Sequence, residues 1–172
     1  MGDMPIFAFI LLGIMLFAFA AISFLFFLID HRDRLYTFDD DAIMNSDSFE
    51  CVFRRVGGAK YEHTSLKLSF LKNDKAKLEY SSKPSEGART VEQEFDVPAE
   101  LAMRLREMYK EHCIPVLSDC EKREDINGDI PVSSVTFSAK EQSYTIDSEQ
   151  ILPENSKTLI SDIEQMLMSY VK

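Results

Sequence analysis

No cationic stripe runs through this chain, and its 29 acidic residues outnumber 19 lysines and arginines. Nucleic-acid phosphates are held by clustered Lys and Arg, so the charge balance argues against a nucleic-acid partner. It argues equally against a domain lying flat on an anionic leaflet. Glycine and proline number only six each, and no repeat or low-complexity tract occurs, so the chain reads as folded rather than disordered. Cysteine is limited to Cys51, Cys113 and Cys120. An odd, sparse set suits a reducing cytoplasm; in an oxidising compartment, Cys113 and Cys120 are the pair that could close a small loop.

The familiar signatures of chemistry are missing too. GxSxG, HExxH and GxGxxG do not occur. Gly57-Gly58-Ala59-Lys60 lacks the Ser/Thr of a phosphate-binding loop and its leading glycine is out of register, so it reads as a turn between two strands. Asp125-Ile126-Asn127-Gly128-Asp129 looks like a calcium loop. With Gly128 as the loop glycine, however, Arg123 and Ser134 fall where calcium needs oxygen ligands at either end. His112, Cys113 and Cys120 do not have zinc spacing, and no second ligand pair exists. His112 beside Cys113 is no nucleophile–base pair either, because that relation is spatial and adjacency does not establish it. The sequence therefore implies no catalytic residue, no cofactor and no metal.

What is present is a long apolar run. Residues 6–29 carry no charge, no proline and one polar side chain, Ser23. At about 1.5 Å per residue, a helix of this length reaches roughly 36 Å and crosses a hydrocarbon core of about 30 Å. Ala18-Phe19-Ala20 has the small-x-small pattern of a signal cleavage site. Yet no Lys or Arg precedes the run, and it stays apolar as far as Ile29, so the reading is an uncleaved membrane anchor spanning Ile6, Gly13, Phe17, Phe24 and Ile29. Met1-Gly2 does not start a myristoylation signal, since residue 6 is Ile. Gly13 has Phe9 and Phe17 four residues away on either side, so no close helix-pairing pattern forms and the contact is with lipid. Arg32 and Arg34 follow the span and no base precedes it, which predicts a cytoplasmic C-terminal part.

Residues 30–47 read as a juxtamembrane linker with a solvated acidic cluster, Asp39-Asp40-Asp41. Beyond it, residues 48–172 form one domain. Strands are expected at 49–56, 65–71, 76–82 and 91–97, with Asn73-Asp74 as a hairpin turn. Val135 and Phe137, then Tyr144 and Ile146, mark a second hairpin. Period-two alternation wets one face and buries the other, the pattern of an antiparallel sheet. Two amphipathic helices are expected. One covers 98–112, with Pro98 at its first position. The other covers about 155–171, capped by Asn155 or Ser156. The fold class is α+β, a two-layer sandwich in the order ββββαββα.

The stretch VTFSAKEQSYTIDSEQILPENSKTLISDIEQML (135–167) resembles the end of small α+β domains from membrane-anchored and lipoprotein-type proteins of Gram-positive bacteria. There too a strand, turn and strand lead through a Leu-Pro step into a final helix. Those domains often carry a tryptophan after the first helix; Val116 to Asp119 stand there in this chain, which has no tryptophan. The resemblance implies a fold and a bacterial origin, and no activity.

The expectation for function is a single-pass membrane protein. Residues 6–29 meet lipid, and the acidic domain acts as a binding or scaffolding module for a protein partner. One alternative is a sensor or enzyme with a small-molecule pocket near residues 113–131. In that long connection His112, Cys113, Cys120, Asp125, Asn127 and Asp129 are the candidate residues. Another is a structural subunit of a membrane complex.

Overall fold

A computed structural model describes residues 38, 41–58, 62–71, 76–123 and 130–171. The fold is α+β. A short helix α1 (Ala42–Asn45) precedes strands β1 (Ser48–Gly57), β2 (Glu62–Leu71), β3 (Ala76–Lys83) and β4 (Val91–Val97). Helices α2 (Ala99–Glu111) and α3 (Ile114–Leu117) follow. Strands β5 (Val132–Ala139) and β6 (Gln142–Asp147), a 3₁₀ turn (Glu154–Ser156) and helix α4 (Leu159–Met168) complete the unit. The strands form one sheet in the order β4-β3-β2-β1-β5-β6, antiparallel at every neighbour. β1 to β4 run as a meander; α2 and α3 then intervene before β5 lies on the free side of β1.

Alternation along each strand becomes continuous rows across the sheet. Cys51 is flanked by Leu68 and Phe137, and the row extends to Leu78 and Phe95 on one side and Tyr144 on the other. Phe53 sits between Leu66 and Val135, with Tyr80 and Ile146 beyond them. Most of these side chains are fully buried. Burying one aromatic or aliphatic side chain contributes about 1.5–3 kcal/mol, so these rows are the main source of stability. The helices supply the cover. α2 lies against β2 and β3 through Leu101, Leu105 and Met108; α4 lies against β1, β2 and β5 through Ile163 and Leu167.

The elements depart from expectation where local rules compete. Pro98 is the N-cap of α2 rather than its first residue: its ψ of 144° keeps it extended while its carbonyl starts the helix. Asn155 and Ser156 do not cap α4. They lie in the 3₁₀ turn, and the helix starts after Thr158. α1 and α3 have four residues each, too few to show a helical period. α1 falls within residues read as linker, yet Ile43 is fully buried there. Gly57 and Gly58 have φ of 102° and 81°, a region that side chains with a Cβ rarely adopt, which explains the glycine pair at the end of β1.

The anchor run 6–29, including Ile6, Gly13, Phe17, Phe24 and Ile29, lies outside the described residues. So do Arg32, Arg34, Asn73, Asp74, Asp125, Asn127 and Asp129. Among the described residues no helix is long and apolar enough to cross a membrane.

Candidate functional site

Among the described residues all helix cover falls on one side of the sheet, so the intervening residues of each strand form an open face. Three rows cross it. Asp96, Lys77, Ser69, Glu50, Ser138 and Ser143 make the first. Glu94, Glu79, Lys67, Val52, Thr136 and Thr145 make the second. The third is Glu92, Ser81, Ser65, Arg54, Ser134 and Asp147. The charge is unevenly spread. The β4, β3, β2 and β1 half carries acids in excess of bases, whereas the β5 and β6 half is mostly Ser and Thr. Lys67 pairs with Glu50 at 2.9 Å, and Lys77 with Glu94 at 2.5 Å. The bond to Glu50 raises the Lys67 ammonium above its usual value. Thr136 and Thr145 join hydroxyls at 2.9 Å. The face offers charges and hydroxyls on a rigid backbone, which suits ionic docking.

The residues predicted around the long connection take separate positions. His112 is the C-cap of α2, and its Nδ1 lies 3.0 Å from the Ser156 hydroxyl. Cys113 is buried in the left-handed conformation (φ 48°) that ends α2 and begins α3. The half-buried Cys120 offers its carbonyl to Gln150. The three cysteines are thiols, and burial pushes that of Cys51 well above its ordinary value of 9.0. No cluster of three His, Cys, Asp or Glu able to hold a metal exists among the described residues.

Three positioning residues escaped the sequence reading. Asp41, read as part of a solvated cluster, is only 2% exposed. Its Oδ1 accepts from the Ile43 and Met44 amides at 2.8 and 3.1 Å, and its Oδ2 accepts from the Tyr109 hydroxyl at 2.5 Å. Asp before a helix is an N-cap signal, but a four-residue helix gives it nothing to announce. Arg106 lies over the Phe49 and Phe70 rings at 4.7 and 5.4 Å and donates to the Ser46 carbonyl at 2.6 Å. Burial pulls its pKa below the usual arginine value. It clamps the segment after α1 against α2 and the sheet.

Gln150, 5% exposed, is the third. Its Nε2 donates towards the carbonyls of Leu117, Ser118 and Cys120, at 3.3, 3.0 and 3.4 Å, and its Oε1 accepts from the Asp147 amide at 2.9 Å. One carboxamide thus satisfies the last turn of α3 and the end of β6 together. No local signal in the sequence marks it, because the three carbonyls it gathers lie about thirty residues earlier.

No protein-family model matches the chain, and no match is found among the curated proteins.

Proposed function

We propose that this chain is a single-pass membrane protein in which residues 6–29 are the anchor. Its two-layer α+β domain docks a Lys/Arg-rich protein surface on the open face of the sheet. The observation that supports docking is the face left uncovered by the described residues, with acids concentrated on β3 and β4. Glu79, Glu92, Glu94 and Asp96 stand on two neighbouring strands. Charge of one sign on a flat, exposed surface steers and orients a partner of the other sign. Arg32 and Arg34 support a cytoplasmic position for the domain.

Two experiments test this reading. A reporter at Lys172 that functions on one side of the membrane only is expected to report the cytoplasm; an external signal overturns the orientation. Cross-linking of the full chain in its own membranes is expected to capture a basic protein. Glu79→Lys with Glu92→Lys is expected to abolish that capture while the chain stays folded, because both side chains are exposed. Capture indifferent to charge reversal and to salt removes the docking role of this face.

A further inference from the structure

At one end of the sheet the dry face turns polar. By strand alternation Arg55 continues the side that holds Phe49, Cys51 and Phe53, and its register partner Ser133 continues that of Val135 and Phe137. Core-facing positions normally carry apolar groups. A cation and a hydroxyl there line a cavity of about 300 Å³, completed by Arg123, Lys157, Ser161 and Glu164. That volume is at the lower end of small-molecule sites, about 300–1,000 Å³.

The cavity is built rather than incidental. Arg55 Nη2 meets Glu164 at 2.5 Å and its Nε donates to the Ser133 hydroxyl at 3.3 Å, so the half-exposed guanidinium is held in one place in the lining. The Ser148 amide donates to the Ser133 carbonyl at 2.8 Å, and the Ser148 hydroxyl accepts from the Ser133 amide at 3.1 Å, which closes one wall. The Arg123 amide donates to the Glu149 carbonyl at 2.9 Å, and the Ile151 amide to the Glu121 carbonyl at 2.8 Å. These bonds flank the Lys122–Gln150 bridge and bring Arg123 to the rim. Lys157 enters from the turn before α4, paired with Glu154. Arg55 is paired with Glu164 and Lys157 with Glu154, and Arg123 adds a further cation at the rim, with serine hydroxyls between. In a chain of net charge −10, three cations against two carboxylates make this cavity locally positive by one charge.

We propose that this cavity binds a small phosphate-bearing molecule. Arg123 and Lys157 are its principal contacts, Ser133 and Ser148, whose oxygens accept bonds from Arg55 and from the Ser133 amide, donate their hydroxyls, and Glu164 positions Arg55. Guanidinium, ammonium and hydroxyl groups converging on one space are the donor set that oxyanions require. The inference is independent of the docking face, which lies on the other side of the sheet.

The test titrates the full chain, in a neutral detergent, with inorganic phosphate, holding ionic strength constant with chloride and following its unfolding temperature. A ligand that binds the folded state alone raises that temperature saturably. Arg123→Ala with Lys157→Ala is expected to weaken the apparent affinity by about tenfold or more. Both side chains are exposed, so folding is not at stake. Arg104→Ala, which removes an exposed cation paired with Glu107 and Glu111 on α2, is expected to leave phosphate binding unchanged. Absence of a saturable rise, or equal binding by the double variant, overturns the proposal. The source of the phosphate is read by repeating the titration in phosphatidylcholine and phosphatidylglycerol vesicles. Weaker phosphate binding with phosphatidylglycerol assigns the site to a lipid headgroup, and equal binding assigns it to a soluble ligand.

Discussion

The open face and the cavity beside α4 are both polar, for opposite reasons. On the open face Glu50, Lys67 and Thr136 occupy positions that strand alternation sends to water. Their polarity is what any antiparallel sheet with one bare side requires. In the cavity Arg55 and Ser133 occupy positions that alternation sends to the core. Polarity there goes against the local rule, and such departures concentrate at sites that bind or react. An ion pair on the open face follows from alternation alone, whereas the Arg55–Glu164 pair stands at a half-buried position where alternation calls for an apolar group.

Neighbouring substitutions on the two sides sharpen this contrast. Phe53→Ala removes a fully buried ring between Leu66 and Val135 and is expected to cost about 3–5 kcal/mol in urea unfolding of the full chain. Lys67→Ala, facing the other way, is expected to cost less than about 1 kcal/mol, because its pair with Glu50 is partly exposed. Equal costs would erase the distinction between the faces.

Gln150→Ala comes next, at about 2–4 kcal/mol. It strands buried carbonyls of the α3 end and the Asp147 amide, and unmet buried groups cost about 1–3 kcal/mol each. Because the Gln150 side chain lines the cavity and ties the end of α3 to the end of β6 beside it, the same variant is expected to weaken phosphate binding, a readout that simple destabilisation far from the cavity does not move.

Cys51 gives a smaller, pH-dependent effect. Burial raises its folded pKa above the unfolded value of 9.0, so the folded state keeps its proton while the unfolded chain loses it. Stability from this group is complete below pH 9 and falls as pH rises above it, by up to about 1.4 kcal/mol per pH unit. Cys51→Ala is expected to remove that slope, seen as the difference between the two proteins' unfolding curves from pH 8 to 10. A slope that persists assigns the loss to other groups.

Much of the fold was legible because strands and long helices leave periodic traces. Leu66, Leu68 and Phe70, or Leu101, Leu105 and Met108, declare a face to any reader of spacing. The candidate site was barely legible. The predicted connection contributes Arg123 at the cavity rim and the carbonyls that Gln150 gathers, while His112, Cys113 and Cys120 serve as a cap, a left-handed turn and a carbonyl acceptor.

By itself the sequence determined the α+β class, the six strands and the two longer helices, the acidic balance and a 24-residue apolar run, since each follows from composition or from periods of two and 3.6 residues. Tertiary structure alone decided that Asp41 is a buried cap, that β5 pairs with β1, and that Arg55, Arg123, Ser133 and Lys157 share one cavity. Those relations depend on how the chain crosses back over its own sheet, and residues brought together that way carry no common period along the chain.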